Sequence, residues 1–467
     1  MTANRKRQHR FQIHNRKRPK ASATSVRLTE GPIAKGLLAF AMPLFWGQLL
    51  QQFYNMADAW VIGNFADNNA FAAVSSAGSL TFLIIGFFNG ISMGGGVIIS
   101  KYFGAEDEEN VEKAIHTNFL FGLLASVLST IVGLVLAPHI LTWMNTPENV
   151  MPDSLMYFRI YFGGVSTIIM YNFCMAIMRA LGDSLHPLYY LVVSTIVNII
   201  LDLLFVAVFQ WGVAGAASAT VIAQAISVLL CILQMRKASD YTRLDFRKLH
   251  FYRDIMNDVI RQGLPTGIQN SVISIGNITV QANINSFGAH AMAGVGAYSK
   301  IEGFVFLPIM SMSMSLPTFI SQNFGAGKID RAKKGAVFGI LFGMITAEIM
   351  GVFMYYASEP LLKLFVNDMD SIQYGVLHVQ TIAFFFFLLA FSHCAAGVLR
   401  GCGKAFIPMV TMLAFWCGVR VIYVTSILKF IPKFQMISWA YPLTWSLSTI
   451  VFAIVLLRYD WKKGFAE

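Results

Sequence analysis

Runs such as LTFLIIGFFNGISMGGGVII, FLFGLLASVLSTIVGLVLA and AVFGILFGMITAEIMGVFMYY constrain this chain more than any other feature. Each is close to the roughly 20 mostly apolar residues that a membrane-crossing helix needs. Composition agrees: 56% of residues are hydrophobic and only 13% charged, against roughly a quarter charged in soluble domains. Mean hydropathy is +0.59. The chain therefore reads as an all-α polytopic membrane protein. Its polar breaks predict twelve helices near 33-62, 71-102, 112-137, 153-180, 186-209, 213-236, 257-286, 292-323, 331-357, 371-399, 405-430 and 436-458.

Charge orients these helices, because Lys and Arg concentrate in short cytoplasmic loops. The amino-terminal tail carries Arg5, Lys6, Arg7, Arg10, Arg16, Lys17, Arg18, Lys20 and Arg27. The 237-256 segment carries Lys237, Arg243, Arg247, Lys248 and Arg253, and the 328-334 loop adds Lys328, Arg331, Lys333 and Lys334. The turns near 64-70, 138-152, 210-212 and 287-291 contain neither residue type. Both termini are expected in the cytoplasm, with the chain in the plasma membrane. A net charge of +11 also raises nucleic-acid binding, but the basic residues fall where the membrane rule wants them. No aromatic-interleaved or zinc-spaced recognition element accompanies them. The first apolar run starts near Ile33 and is long enough to span, which argues against a cleaved signal peptide. Cys174, Cys231, Cys394, Cys402 and Cys417 lie in or beside predicted helices and read as packing residues.

The chain repeats itself. GVIISKYFGAEDEENVEKA (96-114) aligns with PTFISQNFGAGKIDRAKKG (317-335), pairing Ser100 with Ser321 and Gly104 with Gly325. At the same offset RALGDSLHP (179-187) matches RGCGKAFIP (400-408), pairing Arg179 with Arg400 and Gly182 with Gly403; FADNNAFAAV (65-74) pairs more loosely with FGAHAMAGV (287-295). The predicted organisation is a basic tail (1-32), a six-helix lobe (33-236), a linker (237-256) and a second six-helix lobe (257-460). Six is even, so the repeats are parallel, and folds of that kind bind substrate between the halves and alternate access by rocking. GGG at 94-96 lacks the Gly-Lys-Ser/Thr of a phosphate-binding loop. It is expected to serve close helix packing, and transport would draw on an ion gradient.

Polar groups inside spans usually face a cavity or one another. Gln51, Tyr54, Asn55 and Asp58 share one face of the first helix; Ser194, Asn198 and Asp202 share a face of the fifth, and the sixth adds Thr220. Two carboxylates with amide and hydroxyl oxygens are hard ligands that suit Na+, or a proton held between two acids. The repeat counterpart of Asp202 is Tyr423, and that of Asp58 falls at Val280 and Gln281, so the acidity belongs to one half.

These half-repeats, the FGA loops, the RALGD segment and the Asp58, Asn198, Asp202 set resemble the multidrug and toxic compound extrusion (MATE) family, over about Gly31 to Tyr459. The likeness is nearest to its DinF-like branch. The resemblance implies a V-shaped, two-lobed antiporter that exports organic cations or zwitterions in exchange for Na+ or H+. It implies no cofactor, a monomer, and partners limited to small molecules and the bilayer. Asp58 matches the family's first-helix acid, Asn198 and Asp202 its fifth-helix pair, and Thr220 its sixth-helix hydroxyl. Candidates for substrate contact are Gln51, Tyr54, Asn55, Asn172, Gln281 and Glu302. Members that couple through the second lobe carry acids in the seventh and tenth helices, whereas here those read NITVQANINSF and VLHVQTIAFFFFLLAF, without a carboxylate. Glu302 either lines the central cavity or pairs locally with another helix, and Lys300, Arg159, Glu348 and Arg420 carry no assignment.

Three other classes compete. A lipid-linked-oligosaccharide flippase shares the two-lobed fold but needs several cations facing the cavity. An enzyme needs a catalytic constellation, and the nine His residues are scattered. A passive channel calls for a ring of acids, not acids in one half. The 23 methionines, among them Met310, Met312 and Met314, suit adaptable binding walls as well as ordinary packing.

Overall fold

In lipid every backbone polar group must be satisfied within the protein, so apolar runs of this length become helices. The computed structural model describes residues 26-65, 68-143, 146-238, 240-463 and 465. Arg5 to Lys20 of the basic tail, and residues 66-67 of the FADNNAFAAV match, lie outside the described residues. Twelve helical segments follow the twelve predicted ones. The first half comprises α1 (Ile33–Phe65), α2 (Asn68–Gly104), α3 (Glu108–Trp143), α4 (Met151–Ala180), α5 (Leu185–Asp202, continued as a π-helix over Leu203–Val208) and α6 (Gly212–Lys237). The second comprises α7 (Arg253–Asn285), α8 (Ala289–Val305 and Leu307–Gly325) and α9 (Ile329–Leu362). It continues with α10 (Met369–Ile382, a 3₁₀ turn over Ala383–Phe385, then Phe386–Gly401), α11 (Phe406–Met412, a π-helix over Leu413–Val419, then Arg420–Phe430) and α12 (Phe434–Arg458).

Ten of these are long and apolar enough to cross a membrane outright, and α8 joins them as a pair of helices bent by 45°. The bend falls at Phe306, just before Pro308, where proline removes a donor from the helix ladder. Only α7 fails the apolar test, because GLPTGIQNSVISIGNITVQ alternates small, amide and hydroxyl residues. Its position fits this: α7 packs along α2 between the two halves, with Ile260, Leu264 and Ile278 left exposed. Where helices do face lipid, the exposed residues are apolar and fall in helical register, as with Leu124, Leu128, Ile131 and Val135 of α3. Val337, Leu341, Ile345 and Ile349 do the same on α9.

The repeat is visible bond by bond. Ser100 Oγ donates to Ala180 O at 3.3 Å, and its counterpart Ser321 Oγ donates to Gly401 O at 3.1 Å. Gly182 and Gly403 both take positive φ, +86° and +78°, the region open to glycine. The first helix of each half, however, starts on the opposite half's core. Leu37, Phe40 and Leu44 of α1 pack with Met312, Leu316 and Phe319 of α8. Ile255 and Val259 of α7 pack with Ile115, Tyr171 and Ile177.

The halves meet on glycine. A Cβ on Gly267 would lie 2.7 Å from Phe87 O, and one on Gly263 would lie 2.6 Å from Ile91 O. In the GGG run each residue answers to a different neighbour: Gly94 to Gly263 of α7, Gly95 to the Asn118 side chain of α3, and Gly96 to Ala176 O of α4. The two FGA glycines are also pseudo-symmetric, Gly104 lying against Gln322 O and Gly325 against Lys101 O. The first and last described residues, Val26 and Phe465, gather at this same end of the bundle, against Gly182 and Gly403. Val26 N donates to Gly182 O at 3.0 Å, while Arg331 donates to Leu28 O, Glu30 O and Gly31 O at 3.1, 2.7 and 2.6 Å. Lys328 reaches Thr29 O, and Asn323 reaches Leu28 O. Residues 26-31 thus strap the first half to the second.

Candidate functional site

Most of α5 is apolar and turns Ile196 and Ile200 outward, each more than half exposed. The opposite face carries Ser194, Asn198 and Asp202 at i, i+4 and i+8, and all three are buried. Burial on that face is what brings Asp202 against α1. There Asp58 follows Tyr54 by one turn, and the Asp58 and Asp202 carboxyls come close enough to interact. Asn198 approaches the Asp202 carboxyl from its own helix. Tyr54 closes the set by donating its hydroxyl to Thr220 Oγ1 of α6 at 3.3 Å. Directly after Asp202 the chain widens into the Leu203–Val208 π-helix, a distortion that collects at functional sites.

The four residues matched to ion coupling, Asp58, Asn198, Asp202 and Thr220, therefore converge within the first half. Several of their polar atoms are buried without a hydrogen-bond partner: Asp58 Oδ1, both Asp202 oxygens and both Asn198 side-chain atoms. A buried polar group left unpaired costs on the order of 1–3 kcal/mol, and native interiors hold few of them. Concentrating so many oxygens at one point suits a bound cation or a proton shared between carboxyls. Sequence reasoning missed Tyr157 and Tyr161 of α4, whose rings stack at 5.9 Å and 15°. Tyr157 lies near Asp58, Asp202 and Tyr54, and Tyr161 lies near Tyr54. Nothing in an apolar helix sequence marks two tyrosines as site residues, since both also read as core.

The candidate substrate contacts are dispersed. Tyr54 points into the acid pair, whereas Gln51 donates to Asn55 Oδ1 at 3.3 Å on the neighbouring, more open side of α1. That flank of α1 approaches α8, with Phe53 and Phe304 rings 6.2 Å apart and Gln52 against Gly303. Asn172 is buried and accepts from Asn89 Nδ2 at 3.1 Å. It lines a chamber between the halves, together with Ser92, Met93, Arg179, Met314 and Thr318. Gln281 is exposed near the far end of α7 and donates to Asn285. Glu302 faces Tyr298 and Arg420 inside the second half. Arg420 is itself held there by Thr444 Oγ1 at 2.9 Å, Asn277 Oδ1 at 3.4 Å and the face of the Tyr441 ring. Tyr298 lies on Glu302's own helix, and Arg420 acts on Glu302 through space, with no ion pair between them among the described residues.

One exposed cluster lies apart from these groups. His290, Asp368 and Asp370 come together at the far end of the second half. Asp368 caps α10 by accepting from the Ser371 hydroxyl at 2.7 Å and its backbone N–H at 2.9 Å. Those bonds, with that from His290 Nδ1 at 2.7 Å, push its carboxyl down to about 2.

A family model described as MatE matches residues 43–204 and, a second time, residues 265–424. The chain belongs to the MATE family. The double match falls once on each half, as the repeat requires. Among its relatives, the "Probable multidrug resistance protein YoeA" of Bacillus subtilis is 28% identical over 439 residues, spanning 92% of this chain and 94% of that protein. The "Probable multidrug resistance protein NorM" of Thermotoga maritima is 24% identical over 395 residues, spanning 82% and 83%. A solved structure described as the outward-facing conformation of a multidrug resistance MATE family transporter of the MOP superfamily superposes with a TM-score of 0.87. That match is 20% identical and covers 94% of this chain and 98% of the other, and it speaks to the fold. MATE proteins are transporters and not enzymes, so this MATE protein is a multi-pass membrane transporter.

Proposed function

We propose that this MATE protein is a secondary antiporter of the plasma membrane that exports organic cations or zwitterions in exchange for H+, with both termini cytoplasmic. The meeting of Asp58 and Asp202 carries the reading. An ionised aspartate at a helix centre costs roughly 3 kcal/mol on insertion scales, and two facing each other repel, so one proton between them relieves both costs. Arrival of that proton allows α1, α4 and α5 to close on the site, and its loss admits water or opens the helices. In this scheme the carboxylates bind the proton, Tyr54 and Thr220 hold α1 to α6, and the cleft beside Gln51 and Asn55 takes the drug.

The names of relatives as multidrug resistance proteins support the substrate class. Packing of the halves at the end that carries the termini, through Gly263 and Gly267 of α7, corresponds to a state open to the opposite, outer side. The unpartnered Asn198 oxygen beside Asp202 favours a second reading, in which Na+ replaces the proton and uses that oxygen. The test is uptake of a fluorescent monocation into inverted proteoliposomes under separate pH and Na+ gradients. Asp202→Asn and Asp58→Asn, reconstituted at wild-type levels, are expected to lose gradient-driven transport by tenfold or more. Asn198→Ala separates the ions, losing transport mildly for H+ and severely for Na+. Wild-type rates in Asp202→Asn would refute the scheme.

A further inference from the structure

Arg179 and Arg400 occupy equivalent places in the two repeats, in the last turns of α4 and α10, and the scheme above uses neither. A terminal arginine usually bonds the last carbonyls of its helix. Here those are occupied: Ala180 O accepts from Ser100 Oγ and Gln322 Nε2, Gly401 O from Ser321 Oγ, and Gly403 O from Gln262 Nε2. Both Nε atoms are buried and unpartnered. Arg400, 6% exposed, has only the sulfur of Met93 at 3.5 Å. Neither arginine forms an ion pair among the described residues, and no carboxylate lines the chamber that Arg179 enters. Taking a charge out of water costs several kcal/mol when nothing pairs it; Arg400 is buried and Arg179 keeps only part of its side chain open to the chamber, so the pair at one interface suits an anion.

The chamber is narrow and open at its mouth, so a phosphate group can enter it while the rest of an ester stays at the opening. Guanidinium groups hold phosphate through paired N–H···O bonds. Asn89, Ser92 and Asn172 add neutral polar atoms, while Met93, Met175 and Met314 supply a soft apolar wall suited to glycerol and the first methylenes of a chain.

We infer that Arg179, assisted by Arg400 through the Met93 wall, forms an anion site between the halves that takes a phosphate ester. The bound phosphate joins the cytoplasmic end of α4 to the α8 wall of the chamber, Met314 and Thr318, across the interface. The inference does not depend on which ion or drug is transported.

The full-length protein in neutral detergent is titrated with short-chain phosphatidylglycerol, with diacylglycerol of the same chains, and with inorganic phosphate, and occupancy is read by native mass spectrometry and thermal shift. Phosphatidylglycerol is expected to saturate and diacylglycerol to fail. Arg179→Gln and Arg400→Gln should each raise Kd about tenfold and Arg179→Lys about threefold, the lysine variant guarding against a folding artefact. Binding by inorganic phosphate with the same arginine dependence assigns the site to free anions; binding by the lipid alone assigns it to a head group. Equal binding of diacylglycerol, no binding by either phosphate compound, or a Kd unmoved in all three variants overturns the inference.

Discussion

Replacing Gly267 by alanine separates the stability of the fold from the stability of its closed interface. Gly267 lies inside α7, where alanine is favoured over glycine by roughly 0.5–1 kcal/mol, and that gain applies however the halves are arranged. The new Cβ, however, would stand 2.7 Å from Phe87 O, where ordinary contact begins at 3.4 Å. The shortfall of 0.7 Å falls on a backbone carbonyl of a buried helix, which has no rotamer with which to escape. Overpacking of this kind costs about 1–3 kcal/mol, charged only to the state in which the halves touch, and so shifts the closed-to-open ratio roughly five- to 150-fold. The assay is maleimide labelling, from the cytoplasmic side, of a reporter cysteine at Thr318, which lines the interface chamber and is 8% exposed. Four of the five native cysteines are buried, so background labelling is low. Gly267→Ala should raise the labelling rate at least fivefold, while the helix gain offsets part of the overpacking cost and keeps the fall in melting temperature small. Gly296→Ala, whose Cβ meets nothing within 4 Å, should leave the rate unchanged. Equal rates in the wild type and Gly267→Ala would show that this interface does not gate the chamber.

Three further outcomes are expected. Tyr54→Phe removes the donor to Thr220 and, at about 0.5–1.5 kcal/mol per bond, should slow gradient-driven transport by less than about tenfold, clearly short of Asp202→Asn. Ser321→Ala should lower the melting temperature more than Ser100→Ala, because Ala180 O keeps the bond from Gln322 whereas Gly401 O loses its side-chain donor. Asp368 has a carboxyl held below its usual range by Ser371 and then His290, so its contribution is present above the unfolded value near 4 and is lost as pH falls from there toward 2. Thermal melts across that window should fall less steeply in Asp368→Asn than in the wild type.

The helices were legible because lipid leaves an apolar segment little choice but to satisfy its own backbone. Asp58 and Asp202 were legible for the converse reason: an acid in an apolar run needs an explanation, and helical spacing put each on a defined face. Breaks inside helices were not legible, since the π segment after Asp202 has ordinary apolar residues and arises from packing against α1 and α6. Tyr157 and Tyr161 were hidden because aromatic residues suit a core equally well. Arg179 and Arg400 appeared in the repeat alignment, yet only the bonds around them reveal that their helix carbonyls are already taken. Predicted boundaries at 33 and 257 hid the crossing of α1 and α7 to the opposite cores, because periodicity reports that a face is buried and not which neighbour buries it.

The strap at residues 26-31 is gripped almost wholly by its main chain: Arg331, Lys328 and Asn323 reach the carbonyls of Leu28, Thr29, Glu30 and Gly31. Only Leu28 is sunk into the core by its side chain. Such a grip counts residues and does not read them. Exchanging the side chains of Thr29 or Glu30 leaves every carbonyl in place, whereas inserting or deleting one residue between Val26 and Gly31 shifts the whole set out of register against Gly182 on one side and Arg331 on the other. Apart from the core side chain of Leu28 and the positive φ of Gly31, spelling is free in this segment, and length is not.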